Sequence, residues 1–90
     1  MEATYLYILK SIPNQSYYVG ISDDPNRRLE YHNHHSKGYT KRYRPWELKY
    51  IHPFDSKESA QRAERIIKSW KSKKMINLLI DGKISVTDYI

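Results

Sequence analysis

Two residues of opposite charge, Arg28 and Glu64, carry side chains that could handle a phosphate group. A guanidinium binds two phosphate oxygens at once and stays protonated, so Arg28 could stabilise charge developing on phosphate. Glu64 suits a hard divalent ion such as Mg²⁺, which often takes only one or two protein carboxylates and completes its shell with water and phosphate. From the residues alone, both also fit solvated surface positions: Arg28 beside Arg27, and Glu64 paired with Lys68 four residues later on a helix.

Two tyrosines, Tyr7 and Tyr18, stand on segments with the composition of strands. Residues 4–10 and 16–22 are rich in Tyr, Ile and Val, and Pro13-Asn14 between them supplies turn chemistry. Side chains alternate along a strand, so Tyr7 and Tyr18 share a face if the hairpin closes around residues 12 and 13, whereas a one-residue slip separates them. In a chain with nine tyrosines, each could equally be an ordinary strand aromatic.

A helix is predicted over residues 25–34, with Asp24 as its cap and Pro25 in its first turn. Arg28 and His32 are four residues apart and share a face of this helix. His32 could contact phosphate or assist proton transfer. The histidines that follow it are predicted to form a solvated helix end, because no carboxylate or cysteine completes a transition-metal site there.

The second half of the chain predicts a strand and two helices. Residues 46–52 alternate as a third strand does, and an apolar stripe at helical spacing indicates a long amphipathic helix over residues 56–71. A shorter helix is predicted over residues 72–79, followed by a weakly specified tail. The order β-β-α-β-α-α gives an α+β fold in which helices flank a small three-stranded, mainly antiparallel sheet.

The charge of the chain favours a polyanionic partner. Sixteen Lys and Arg against ten Asp and Glu give a formal net charge of +6, which suits nucleic acid but also fits a merely basic, soluble protein. Residues 36–45 alternate aromatic and basic side chains and are predicted to form a surface loop that contacts phosphates and sugars. The basic residues of this loop that we expect to bind nucleic acid are Lys37, Lys41, Arg42 and Arg44.

Composition also limits the kinds of site and the cellular location that the chain can have. With no cysteine, the chain can form neither a disulfide nor a thiolate zinc site. The first residues lack a basic region followed by an apolar run, and no segment approaches the roughly 20 apolar residues of a membrane span. We therefore expect one domain over residues 1–90, located in the cytoplasm, with no membrane partner.

The two aromatic strands and the helix after them resemble the GIY-YIG nuclease domain. The first signature of that family maps onto Tyr5-Leu6-Tyr7, with its glycine and isoleucine replaced, and the second maps onto Tyr18-Val19-Gly20, with valine for isoleucine. The match covers roughly residues 4–80. It is closest to short, stand-alone bacterial members related to the N-terminal domain of the excision-repair nuclease, and the predicted order of elements agrees with the family's fold.

The resemblance implies a role for each candidate residue. Arg28 aligns with the catalytic arginine, counted from Tyr18-Val19-Gly20, and Glu64 with the catalytic glutamate that binds Mg²⁺ or Mn²⁺. Tyr7 and Tyr18 match two tyrosines that position water and phosphate, one of them proposed as a general base. Some members use a late asparagine, for which Asn77 is a weak match in spacing.

At the level of function, the resemblance implies a divalent-metal-dependent DNA endonuclease acting in DNA repair, recombination or processing. Ninety residues leave room for the nuclease module only, so DNA structure or a protein partner is expected to supply selectivity. The alternative is a non-catalytic nucleic-acid-binding module of the same fold, with Tyr39, Tyr43 and Trp46 stacking on bases. The sequence carries no interface signature that fixes an oligomeric state.

Overall fold

The protein is built on a three-stranded antiparallel sheet whose central strand is the first in the chain. A computed structural model describes residues 3–35 and 37–90. Its elements, in chain order, are β1 (Thr4–Ser11), β2 (Tyr17–Ser22), α1 (Pro25–His34), α2 (Tyr39–Arg42), β3 (Trp46–Phe54), α3 (Lys57–Trp70), α4 (Lys73–Ile80) and a 3₁₀ turn (Val86–Asp88). The strand order is β2-β1-β3, which confirms the predicted α+β class.

The register of the β1–β2 hairpin places the two candidate tyrosines on one face. Tyr7 pairs with Gly20 and Leu9 pairs with Tyr18, so Tyr7 and Tyr18 are diagonal neighbours on the same side of the sheet. Their ring centroids are 6.3 Å apart. The prediction that these side chains share a face is confirmed, but the hairpin closes around residues 13 and 14 and not around residues 12 and 13.

Both faces of β1 are buried, and each face belongs to a different hydrophobic layer. Leu6 and Ile8 pack with the apolar stripe of α3, which includes Ala63 and Ile67. On the opposite face, Tyr7 and Leu9 form a second cluster, whose other members are Trp46 and the partly buried Tyr18, Leu29, Tyr43 and Leu48. Because Leu29 lies on α1, this second face is the one that α1 covers.

Local side-chain caps define where the three longer helices begin. The Asp24 side chain accepts a hydrogen bond from the Arg27 amide at 3.1 Å, and Ser56 and Ser72 accept from the amides three residues ahead. Helix α1 has the predicted bounds, and α3 and α4 differ from theirs by one residue at each end. The third strand runs two residues further than predicted, to Phe54, with Pro53 tolerated because β3 is an edge strand.

The prediction of a surface loop over residues 36–45 is wrong for residues 39–42; Ser36 lies outside the described residues. Residues 39–42 form the short helix α2, whose Thr40 is buried. The Trp46 indole N–H donates to the Thr40 carbonyl at 2.7 Å, and the Trp46 side chain is only 2% exposed. Trp46 is therefore a core residue that anchors α2, and its predicted use as a base-stacking platform is wrong.

The C-terminal segment packs against the core, although its sequence predicted a tail without a defined structure. Val86 is fully buried and belongs to the same hydrophobic cluster as α3. The Tyr89 ring lies 5.1 Å from that of Trp70, at the end of α3. Among residues 3–35 and 37–90, no helix has both the length and the apolar character that crossing a bilayer requires.

Candidate active site

The side chain of Tyr7 leaves the central strand and crosses above Gly20 of β2. A Cβ added to Gly20 would lie 2.6 Å from the Tyr7 hydroxyl oxygen and 2.7 Å from Cζ, so only glycine leaves room for this ring. Glycine within a strand often marks such a close approach. Tyr7 is 1% exposed, and the path over Gly20 carries its hydroxyl towards the outer strand β2.

His32, which lies on α1, contacts both Tyr7 and Tyr18. Its Nε2 lies 3.2 Å from the Tyr7 hydroxyl, and its ring centroid lies 4.6 Å from that of Tyr18. Burial, and secondarily the positive charge of Arg28, lowers the pKa of His32 to about 4. The imidazole is therefore neutral at pH 7, whereas the sequence allowed a histidine that gains and loses a proton during the reaction.

Burial also raises the pKa of Tyr7 above its usual value near 10. Arg28 acts in the opposite direction, through a hydrogen bond and through its charge, while Tyr18 and Glu64 each add to the upward shift. Three side chains from β2, α1 and α3 thus act electrostatically on one hydroxyl. Because burial dominates, Tyr7 is a neutral phenol at neutral pH.

Arg28 stands at the site because of where α1 begins. The cap at Asp24 fixes the first turn, and Arg28 then lies on the same face as His32, as predicted from their spacing. The Arg28 guanidinium lies 4.7 Å from the ring centroid of Tyr31, a cation–π arrangement that holds it in place. The neighbouring Arg27 is exposed and pairs instead with Asp23 at 3.2 Å.

Glu64 lies on α3, which packs on the other face of the sheet, and its charge still acts on Tyr7. The Glu64 side chain is 21% exposed and acts on the pKa of Tyr7. Its Oε2 also lies 3.2 Å from Lys68 Nζ, the helical ion pair that the residues alone allowed. Glu64 therefore pairs with Lys68 and at the same time acts electrostatically on Tyr7.

The residues present fit a divalent ion held by one protein carboxylate. Within the described part of the chain, no group of three or more His, Cys, Asp or Glu side chains could hold a metal. Mg²⁺ dehydrates reluctantly and is commonly bound through one or two carboxylates together with substrate phosphate. Glu64 is the carboxylate that this arrangement offers, with water and phosphate completing the shell.

Two cavities open on either side of Arg28. The first, which we name the aromatic pocket, has a volume of about 360 Å³ and is lined by Tyr18, Arg28, Tyr31, His32, Lys37, Tyr39 and Thr40. The second has a volume of about 380 Å³ and is lined by Thr4, Ile21, Ser22, Asp23, Arg27, Arg28 and Lys57. Arg28 is the residue that lines both cavities.

The four basic residues expected to bind nucleic acid do not share one environment. Lys37, Lys41 and Arg42 are exposed, and Lys37 lines the aromatic pocket. Arg44 is half-buried, and its Nε donates to the main-chain carbonyl of His32 at 2.9 Å. Arg44 therefore also ties the end of α1 to the segment that leads into β3.

Two residues gain significance from the structure. Tyr31, which supports Arg28, was missed, although its spacing three residues after Arg28 is a signal for side-chain contact on a helix. Asn77 is exposed, and its Oδ1 accepts a hydrogen bond from the hydroxyl of Tyr17, the neighbour of Tyr18. The described contact of Asn77 is thus one that joins α4 to β2.

The fold and the candidate site are those of a small α+β domain with groups that could handle phosphate, and comparison with known proteins gives its family. The model of the GIY-YIG catalytic domain matches residues 3–77, and the chain belongs to this family. The family resemblance read from the two aromatic strands is confirmed.

Its relatives include both short bacterial proteins and a larger endonuclease subunit. A UPF0213 protein of Staphylococcus saprophyticus is 35% identical over 83 residues, which are 91% of this chain and all of that protein. The structure-specific endonuclease subunit slx1 of Schizosaccharomyces japonicus is 39% identical over 64 residues, which are 67% of this chain and 23% of that protein. The solution NMR structure of a UPF0213 protein from Bacillus halodurans matches with a TM-score of 0.57 and 32% identity, covering 90% of this chain and 85% of that one.

Proposed function

We propose that this protein is a divalent-metal-dependent endonuclease that hydrolyses phosphodiester bonds in DNA, in repair, recombination or processing. One observation carries the proposal: Arg28 from α1 and Glu64 from α3, on opposite faces of the sheet, both act on the hydroxyl of Tyr7. A binding surface needs cations, but a half-buried carboxylate beside a phosphate site repels the ligand. A carboxylate in that position is explained by a metal ion.

Each residue has a separable task in the hydrolysis. The Arg28 guanidinium binds phosphate oxygens and stabilises the charge that develops as water oxygen bonds to phosphorus and the bond to the departing oxygen breaks. Glu64 would hold the divalent ion, which supplies positive charge to the phosphate and acidifies bound water. These effects together contribute to the roughly 8–23 kcal/mol by which enzymes typically lower an activation free energy.

Tyr7 and His32 form the part of the site that orients water. Both are neutral at pH 7, because burial raises the pKa of Tyr7 and lowers that of His32 to about 4. A neutral Nε2 can accept the Tyr7 hydrogen bond, so the phenol oxygen keeps its lone pairs for accepting. One of them accepts from Arg28, and the other can accept a hydrogen bond from the attacking water. In this proposal His32 is a positioning residue, since it is 2% exposed and reaches the reacting atoms through Tyr7.

Selectivity is proposed to come from DNA structure or from a second protein. Lys37, Lys41 and Arg42 are exposed on one side of the site and would contact phosphates, which fix position without reading sequence. The relative slx1 is described as a subunit of a structure-specific endonuclease, and this chain corresponds to 23% of its length. A partner that recruits the protein to DNA is consistent with that likeness.

The direct test is cleavage of supercoiled, single-stranded and branched DNA in Mg²⁺, in Mn²⁺ and in a chelator. Glu64→Ala should abolish cleavage while DNA binding persists. Glu58→Ala is the matched control, because Glu58 lies in the same helix but in its exposed first turn. Equal cleavage by the wild type and Glu64→Ala would overturn the proposal, since the activity would then not come from this site.

A non-catalytic DNA-binding module is the second candidate, and the Glu64–Lys68 ion pair favours it. In such a module the carboxylate is simply neutralised by its helical neighbour. Both functions require salt-sensitive binding, because both rest on phosphate contacts. Binding without cleavage in any metal would select this second function.

A further inference from the structure

The aromatic pocket has room for a group larger than a phosphate. Its volume of about 360 Å³ falls within the range of roughly 300–1,000 Å³ typical of ligand pockets. Two of its lining residues are exposed tyrosines: Tyr39 is 51% exposed and Tyr31 is 40% exposed. Tyr31 supports Arg28, but Tyr39 has no task in the proposed hydrolysis.

The arrangement of the rings leaves a surface for a further planar group. Tyr39 is supported from within by Tyr43, at 5.0 Å between centroids, and by the buried Trp46, at 6.0 Å. Tyr31 carries the Arg28 guanidinium at 4.7 Å. Supported, half-exposed aromatic rings lose little conformational freedom on binding, which makes them suitable platforms for stacking.

The charge of the pocket matches a nucleotide. Its lining includes the cations Arg28 and Lys37 and no carboxylate. Arg28 is also the residue proposed to hold the scissile phosphate, so a nucleotide bound there places its neighbour within reach of the pocket. Aromatic rings beside cations that track a backbone are the usual means of binding single-stranded nucleic acid.

We propose that the aromatic pocket binds one unpaired base of DNA, stacked on Tyr39, in the nucleotide next to the scissile phosphate. The inference rests on the proposed function for the position of the phosphate. A base within a duplex has both faces covered by its neighbours and cannot reach a pocket wall, so it must first leave the stack. The substrates are then sites where DNA is single-stranded or opened, such as gaps, flaps and junctions.

The test measures binding in a chelator, so that cleavage plays no part. The ligands are short oligonucleotides that contain 2-aminopurine, a base whose fluorescence falls when it stacks on an aromatic ring. One ligand is a single strand, and the other is a blunt duplex with 2-aminopurine in its interior. Wild-type protein should quench the single strand and bind it more tightly than the duplex. Tyr39→Leu should remove the quenching and weaken single-strand binding about 5- to 100-fold, the range that loss of one stacking platform gives, with duplex binding unchanged.

Two variants guard against a merely structural effect. Tyr39→Trp keeps an aromatic face and should restore both quenching and affinity. Tyr89→Leu removes an equally ordinary exposed tyrosine, which contacts Trp70, and should match the wild type. Circular dichroism melting of each variant confirms that it is folded at the assay temperature.

The outcomes separate this inference from the proposed nuclease function. If Tyr39→Leu weakens single-strand and duplex binding equally, or changes neither, the pocket does not bind a base, even if the protein cleaves DNA. If the quenching depends on Tyr39 but no metal supports cleavage, the pocket is supported and the nuclease function is wrong.

Discussion

The hydroxyl of Tyr7 lies over Gly20, so close that a methyl group at Gly20 would sit 2.6 Å from it. Because Gly20 has no side chain, the Tyr7 side chain of the central strand can extend over the neighbouring strand β2. Arg28 and Glu64 arrive from opposite layers and both influence that hydroxyl. The glycine of the second signature is thus a packing requirement of the tyrosine in the first.

The first prediction concerns Gly20→Ala. The added methyl group would displace the Tyr7 ring, so the variant should lose most of its cleavage activity and unfold about 1–3 kcal/mol more easily, as overpacked cores do. Urea unfolding followed by circular dichroism measures the stability, and nicking of supercoiled DNA measures the activity.

A double-mutant cycle with Tyr7→Leu supplies the control for that prediction. If the clash with Tyr7 is the cause, Gly20→Ala should destabilise a Tyr7→Leu background much less than it destabilises the wild type. An equal loss of stability in both backgrounds would show that the effect comes from the backbone of β2 and not from the Tyr7 ring.

The second prediction distinguishes two adjacent arginines. Arg28→Ala should lower the cleavage rate by about 10²–10³, the usual loss when one group that stabilises transition-state charge is removed. Arg27→Ala removes the same charge from an exposed residue paired with Asp23 and should have a far smaller effect. Single-turnover cleavage of a labelled oligonucleotide gives both rates. Equal losses would mean that the two arginines serve only as general positive charge.

The parts of this fold that could be predicted from the sequence are those fixed by interactions between residues close together in the chain. Asp24 and Ser56 each cap a helix through an amide three residues ahead, an interaction confined to one turn of chain. The shared face of Tyr7 and Tyr18 follows from strand alternation together with the register of the hairpin, in which Leu9 pairs with Tyr18. Features that depend on neighbours in sequence were therefore predicted within one or two residues.

Features that depend on distant partners were not predictable in the same way. Trp46 and Thr40 stand in a basic, loop-like stretch, and only their mutual hydrogen bond and the cover of the second core make them interior residues. Val86 is a single apolar residue in a polar tail, yet it is fully buried. His32 looks like a solvated helix residue until α1 is placed against Tyr7 and Tyr18.

The third prediction is a dependence of stability on pH that arises from His32. Its pKa falls from 6.5 in the unfolded chain to about 4 in the folded protein, so below pH 6.5 the unfolded state binds the proton first. The stability gained by keeping His32 neutral is complete above about pH 6.5 and is lost as the pH falls towards 4. Between pH 7 and pH 5 the loss should be about 2 kcal/mol.

Urea unfolding at those two pH values tests this, with His32→Gln as the comparison. Glutamine can hydrogen-bond to the Tyr7 hydroxyl but does not titrate, so the variant should lose clearly less stability than the wild type over the same interval. If the variant declines just as steeply, other groups cause the dependence.

The fourth prediction concerns the ion pair between Lys68 and Glu64, whose Nζ and Oε2 atoms are 3.2 Å apart. In the proposed enzyme the Lys68 ammonium competes with the divalent ion for the Glu64 carboxylate, and its positive charge repels the ion. Lys68→Met should therefore lower the Mg²⁺ concentration at half-maximal cleavage by about 1.5- to 5-fold, which matches the strength of a partly exposed ion pair.

The concentration at half-maximal cleavage, and not the maximal rate, is the informative quantity, because Lys68 also lies in a groove with Lys71 where either side chain could contact DNA. Lys71→Met removes the same charge from that groove, but Glu64 is paired with Lys68, so Lys71→Met should leave the metal dependence as it is in the wild type. Equal shifts in both variants would attribute the effect to net charge. A shift to higher Mg²⁺ in Lys68→Met would mean that the ammonium holds the carboxylate in place for the metal.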